Sequence, residues 1–250
     1  MKTSANRRAM IAMLLCALVT PAASGQSLAP SPTKDNAGAS PKLTFAFAGN
    51  TRTCYYFLPD AQGPLPAVVL LHGSGHNGQI MIDAWKDLAA KEHFILIAPD
   101  AYDPAGWGVK MDPPAFLHAA VDQVRAKHAI DERRVSLFGH SAGAVFALSL
   151  AVIDSRYWAA AALHAGALPS GYETQILARA DRRTPIAIWV GDSDPLFHIE
   201  AVNATKTLLE ANGFSVKLSV IPNHDHNYYA IADRVNKQAW GFLKKAQLKP

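Results

Sequence analysis

The chain has 250 residues, 50% hydrophobic and 18% charged, enough to bury one large core and better suited to a single α/β domain than to two small ones. Its formal charge of +4 is mild, and Lys2, Arg7 and Arg8 supply part of it. No basic run interleaves with aromatic residues further along, so nucleic-acid binding is not indicated.

Lys2, Arg7 and Arg8 form a positive n-region, Met10 to Val19 an apolar stretch, and Pro21-Ala22-Ala23-Ser24-Gly25 a small-residue exit, so residues 1–25 read as an export signal cleaved near Ala23 to Gly25. The apolar stretch is short for a membrane span, and no stable membrane anchor is expected after cleavage, although an uncleaved N-terminal anchor is the competing reading. The mature protein is expected to be periplasmic or extracellular. Met13-Leu14-Leu15-Cys16 lacks the small residue that precedes the cysteine of a lipoprotein signal, so Cys16 leaves with the peptide. That leaves Cys54 alone, with no intramolecular disulfide and an apolar setting that suits a packed core residue. Residues 26–41 are rich in Ser, Pro, Ala and Gly and read as a disordered leader; residues 42–250 read as one domain.

Within that domain strand-like and helix-like segments alternate, which predicts a mostly parallel central sheet with helices on both faces. Leu43 to Ala48 and Thr53 to Leu58 predict an opening antiparallel hairpin joined by Gly49-Asn50. Next come a buried strand over Ala67 to Leu71 and an amphipathic helix over Ile80 to Lys91, with Ile80, Ile82, Trp85 and Leu88 inward. Phe94 to Ala98 is the following strand, Pro114 to His128 a helix, Val135 to Phe138 a strand and Ser141 to Ile153 a helix. Trp158 to His164, Pro185 to Val190 and Ser215 to Ile221 are strands, with helices over His198 to Asn212 and Tyr228 to Leu248.

Gly139-His140-Ser141-Ala142-Gly143 therefore stands between a strand and a helix, the setting of a nucleophile elbow. A sharp strand-to-helix turn leaves no room for Cβ atoms two residues either side of the serine, and it exposes the hydroxyl at a helix N-terminus. A serine hydroxyl is a weak nucleophile until a histidine takes its proton and a carboxylate orients that histidine. Two later strand ends carry both types in the required chain order, Gly191-Asp192-Ser193-Asp194-Pro195 and Pro222-Asn223-His224-Asp225-His226-Asn227. We favour Asp194, set at a turn before Pro195, over Asp192, which lies nearer the strand and suits loop hydrogen bonding. We favour His226, at the entry to the last helix, over His224. Nothing near these residues has the spacing of a zinc motif, and neither metal nor cofactor is expected.

Leu71-His72-Gly73-Ser74-Gly75-His76 follows the first buried strand, where small residues let backbone N–H groups approach a substrate carbonyl; the oxyanion donors are assigned to the N–H groups of Ser74 and Ala142. His72 is read as bracing this loop and His140 as packing beside the elbow. Trp107, in the loop after the Phe94 to Ala98 strand, is a candidate substrate contact, with a packed loop anchor as the other reading. Trp158, Trp189 and Trp240 are read as core.

Leu71-His72-Gly73-Ser74-Gly75, Asp131-Glu132-Arg133-Arg134-Val135 leading into the elbow, Gly191 to Pro195, and His224 to Tyr229 together resemble the α/β-hydrolase superfamily. Within it the chain is similar to secreted esterases of the polyhydroxybutyrate depolymerase and feruloyl esterase type, with some likeness to esterase D. The resemblance runs from about Thr44 to Lys245 and implies the α/β-hydrolase fold and ester hydrolysis. Esterase D-like enzymes carry their catalytic histidine in an Asp-His-Ser-Tyr-Tyr segment, which Asp225-His226-Asn227-Tyr228-Tyr229 matches, so the resemblance supports His226. Many depolymerase-type relatives have cysteine where Ser74 stands here. The expected substrate is accordingly an ester, small or polymeric, cleaved through an acyl-enzyme on Ser141. A serine peptidase of the same fold and a catalytically silent binding domain are the alternative classes.

Overall fold

A computed structural model describes residues 40–249. The export signal, all but the last two residues of the leader, and Pro250 lie outside the described residues. The strands are β1 (Lys42–Phe47), β2 (Asn50–Phe57), β3 (Leu65–Leu71), β4 (Ile95–Pro99), β5 (Ile130–His140), β6 (Ala161–His164), β7 (Ile186–Gly191) and β8 (Val216–Ile221). They form one sheet in the order β1-β2-β4-β3-β5-β6-β7-β8, antiparallel among β1, β2 and β4 and parallel from β4 to β8. The helices are α1 (Gly78–Glu92), α2 (Pro114–Arg125), α3 (Ala142–Ile153), α4 (Glu173–Leu177), α5 (Ile199–Ala211) and α6 (Ala232–Leu243).

Strand alternation sends side chains to two separate cores. Ala67, Val69 and Leu71 of β3, with Ile95 and Ile97 of β4, pack with α2, α3 and α5, whereas Val68, Leu70, Leu96 and Ala98 pack with α1 and α6. Both faces are covered, which is why these strands read as continuous apolar runs rather than alternating ones. Helix α3 is apolar on every side and buried from Gly143 to Val152 apart from Val145, so it runs through the interior and fixes its own first residue firmly.

Several boundaries differ from expectation for identifiable reasons. The hairpin turns at Ala48-Gly49, both at positive φ, and Asn50 already pairs with Phe47. Its side-chain amide donates to the Ala48 carbonyl at 3.2 Å, so a two-residue primed turn forms one position earlier than Gly49-Asn50 suggested. Helix α1 starts at Gly78, capped by the Asn77 side chain, and buries Met81, Ile82, Trp85 and Ala89, leaving Ile80 and Leu88 half-buried. Strand β5 begins five residues before Val135, because Ile130 pairs with Leu65 across a register shift. Strand β6 is confined to Ala161–His164, and α4 lies in a stretch for which the sequence pattern predicts no element. The last helix divides: Tyr228–Ile231 is a 3₁₀ turn capped by the Asn227 side chain, and α6 starts only at Ala232. Tyr228 is buried, its hydroxyl donating to Asn236 Oδ1 at 2.6 Å and accepting from Trp85 Nε1 at 2.8 Å. That anchor turns the chain inward just after His226. Cys54 is fully buried and burial pushes its thiol pKa up, so it is a core residue rather than a reactive thiol.

Candidate active site

Because β3 to β8 are parallel, the loops after β3, β4, β5, β7 and β8 emerge at one rim of the sheet, where open α/β sheets bind ligands. Ser141 follows β5 there with φ 55° and ψ −120°, a strained backbone for a residue bearing a Cβ. The flanking glycines have steric reasons. A Cβ on Gly139 would run into the Gly143 carbonyl, and one on Gly143 into the carbonyls of Leu71 and His72. The Ser141 N–H donates to the His164 carbonyl at 3.0 Å, which holds the elbow against the end of β6.

The three residues favoured by sequence lie in one hydrogen-bonded row. His226 Nε2 is 2.9 Å from Ser141 Oγ, and His226 Nδ1 is 2.8 Å from Asp194 Oδ2. With an ionised carboxylate the Nδ1 proton donates to Asp194, leaving Nε2 bare to accept from the serine hydroxyl. The Asp194 side chain is wholly buried, and its Oδ1 accepts the N–H groups of Leu196 at 2.8 Å and Phe197 at 2.9 Å. Those bonds satisfy a charge that burial would otherwise penalise. The Phe197 ring stacks on the His226 imidazole at 5.7 Å between centroids, 7° from parallel, and limits its rotation. The competing residues take other positions. Asp192 is exposed; its Oδ1 accepts from the Ser193 hydroxyl at 3.0 Å and the His224 N–H at 3.4 Å, so it ties the two loops together. Hydrogen bonds from the loop N–H groups lower its pKa. His224 points away from Ser141 toward His164, with 3.2 Å between their Nε2 atoms.

The loop after β3 lies against the nucleophile: a Cβ on Gly73 would come within 3.4 Å of Ser141 Cβ. No protein acceptor takes the Ser74 N–H among the described residues, and the Ala142 N–H is the first of α3, one of the groups a helix leaves without an internal partner. His72 is the brace. Its Nε2 accepts the Ala101 N–H at 3.1 Å, so the proton sits on Nδ1, which donates to the Gly73 carbonyl at 2.9 Å; burial lowers its pKa and favours this neutral form. Trp107 does not line an opening. It is 8% exposed, donates Nε1–H to the His72 carbonyl at 2.9 Å and stacks on Phe146 at 5.4 Å, so it anchors the loop instead of contacting substrate.

Sequence reasoning missed the clamp that holds Trp107 in place. Arg52 of β2 is buried, forms an ion pair with buried Asp112, donates to the carbonyls of Asp100 and Met111 at 3.1 Å each, and lies 3.5 Å over the Phe116 ring. Asp112 in turn accepts the Tyr102 N–H at 3.0 Å, and the loop between them contacts the β3 loop through Gly75 N–H to the Pro104 carbonyl at 2.8 Å. The signal was the alternation of β2, which puts Arg52 on the same inward face as Cys54.

Three further histidines form a buried file. His140 and His164 face each other across β5 and β6, 3.1 Å apart through their Nδ1 atoms, and His164 continues to His224. Burial lowers the pKa of His140 to about 3 and of His164 to about 2, and lowers that of His224 as well. In the unfolded chain these groups titrate near the ordinary histidine value of about 6.5. Between the two values the unfolded state binds protons that the folded state does not, so stability rises with pH across that window and falls as pH drops below about 6.5. We expect each of His140 and His164 to cost on the order of 1 kcal/mol of stability per pH unit between about pH 6 and pH 5. Urea unfolding midpoints in that range measure it, and a midpoint that stays constant from about pH 7.5 to about pH 5 would count against neutral buried histidines.

Solved structures with this architecture include an S-formylglutathione hydrolase from Agrobacterium tumefaciens, at 16% identity over 90% of this chain and 100% of that one with TM-score 0.64. The fluorophosphonate-binding serine hydrolase F of Staphylococcus aureus superposes at TM-score 0.68, with 17% identity over 81% of this chain and 96% of that one. A ferulic acid esterase gives TM-score 0.64 and 14% identity over 82% and 96%. At such identities the likeness is one of fold. No curated protein matches the chain in sequence. The model of the dienelactone hydrolase family matches residues 53–244, well over half of the length, and the chain belongs to that family of carboxylic ester hydrolases with the α/β-hydrolase fold.

Proposed function

We propose that the protein is an exported serine esterase that cleaves small carboxylic esters through an acyl-enzyme on Ser141. The observation that carries this reading is the row Ser141 Oγ, His226 Nε2 and Nδ1, and Asp194 Oδ2, with spacings of 2.9 and 2.8 Å. Ser141 Oγ attacks the ester carbonyl while His226 removes its proton. The N–H groups of Ala142 and Ser74 receive the oxyanion. His226 then gives the proton to the departing alkoxide, and the acyl group stays on Ser141. Water repeats the sequence with His226 as base, releasing the acid and restoring the serine. Asp194 keeps the Nδ1 proton in place and stabilises the imidazolium formed in each half. Leu196, 60% exposed, and the ring of Phe197 beside the base offer an apolar edge for the acyl or alcohol portion. The charged, apolar and small-residue order of residues 1–25 supports export.

Incubating the purified protein with p-nitrophenyl esters of increasing acyl length and with a fluorophosphonate probe tests the proposal. We expect ester turnover, stoichiometric labelling, and far slower cleavage of the matching p-nitroanilide. Absence of both turnover and labelling would overturn the assignment, and an anilide rate equal to the ester rate would make it a peptidase.

A further inference from the structure

We propose that His164 is a positioning residue of this site, joining the nucleophile loop to the base loop through its ring and its backbone carbonyl; this rests on the serine esterase reading above. His164 ends β6, between the strands that carry Ser141 and Asp194. Its backbone carbonyl accepts the Ser141 N–H at 3.0 Å. Its Nδ1 meets Nδ1 of His140, the residue immediately before the nucleophile, at 3.1 Å. Its Nε2 meets His224 Nε2 at 3.2 Å, two residues before the base. The His224 carbonyl in turn accepts the N–H of Ser193, the neighbour of Asp194, at 3.0 Å. The ring is fully buried, so no water competes for these bonds. Backbone strain marks the same place: Ser141 and Ala165, the residues on either side of this junction, have φ of 55° and 56°.

Burial of the file also governs charge next to the base. Each nitrogen-to-nitrogen contact needs one proton, so three neutral rings satisfy both contacts with one proton to spare at an end of the file. His140 lies 5.0 Å from the His226 ring, centroid to centroid. A positive His140 there would oppose the imidazolium that His226 becomes when it accepts the serine proton. At an effective dielectric of about 20 the repulsion corresponds to roughly two orders of magnitude in equilibrium constant. The groups facing the file are His76 from the β3 loop, Asp194 and His226, the rings of Tyr228 and Tyr229 against His140, and Asp225 and Arg234 near His224. Asp194 is the one anion among the described groups acting on His140, and its Oδ2 is already committed to His226; burial is what keeps His140 neutral, against the opposing pull of its hydrogen bond to His164.

The test is His164→Leu, which keeps the carbonyl bond to Ser141 but removes both ring contacts. With p-nitrophenyl acetate as substrate we expect kcat to fall by about ten- to a hundredfold with KM within about twofold, the signature of lost alignment rather than lost binding. The fluorophosphonate labelling rate should fall in parallel. The acid limb of kcat/KM should keep the parent's slope and position, because leucine preserves the burial that keeps His140 neutral. His224→Leu breaks the other end of the file and carries the same expectation for kcat if the His164 variant does not fold. Parent-like kcat in the folded variant would overturn the proposal, as would a fall confined to KM. Ser141→Ala measured alongside separates the two levels: residual parent-like turnover there would overturn the esterase reading itself, whatever His164 does.

Discussion

Ser141→Ala and His226→Ala are each expected to lower kcat by on the order of 10⁴- to 10⁶-fold on an activated ester, with far-UV circular dichroism and unfolding midpoint close to those of the parent. The effect is large because the two groups act as one unit: without the bare Nε2 at 2.9 Å the hydroxyl keeps its proton, and without the hydroxyl the base has nothing to activate. Neither side chain holds the fold. Ser141 contributes through its backbone, which alanine retains, and the His226 side chain is 22% exposed at the rim. Fluorophosphonate labelling should vanish in Ser141→Ala. His224→Ala is the internal control, expected to lose far less than His226→Ala because its ring bonds to His164 and not to Ser141. A reversal of that ranking would mean that His224, not His226, is the base.

Asp194→Asn should reduce kcat by roughly 10⁴-fold while leaving KM nearly unchanged, as expected when a base is held in the wrong tautomer. The amide can present its NH₂ group to His226 Nδ1, which places the imidazole proton on Nε2 and points a donor at the serine. Its oxygen can still accept the Leu196 and Phe197 N–H groups, so the loop keeps its shape. Asp192→Asn should stay within a few-fold of the parent, since Asp192 only links the loop to the His224 N–H and the Ser193 hydroxyl. Steady-state kinetics of the two variants side by side decide the matter, and equal losses would refute the assignment of Asp194 as the orienting carboxylate.

How much of this was legible without coordinates depends on how local each cause is. The elbow was readable because its pattern lies within five consecutive residues: Gly139 is demanded by the Gly143 carbonyl inside the turn, whereas Gly143 answers to the Leu71 and His72 carbonyls, which only the fold brings close. The parallel sheet was readable because buried strands and alternating helices leave short-range patterns. The choice of Asp194 over Asp192 and His226 over His224 rested on turn chemistry and on likeness to esterase D, and the geometry brings that pair, rather than their neighbours, to Ser141.

What the chain order alone determined, then, is the sheet's strands and most of the helices, the strained turn at Ser141 and the supply of an acid and a base at two later strand ends, since propensity, period and turn chemistry act over a few residues. Tertiary structure alone decided that Trp107 is an anchor, that Arg52 of β2 clamps Asp112 sixty positions later, and that His140, His164 and His224 share a buried file. Those pairings are set by which strands become neighbours and how deeply each side chain is buried. Burial also fixes the protonation of the histidines, because the cost of desolvating a charge depends on everything packed around it rather than on the residues beside it in the chain.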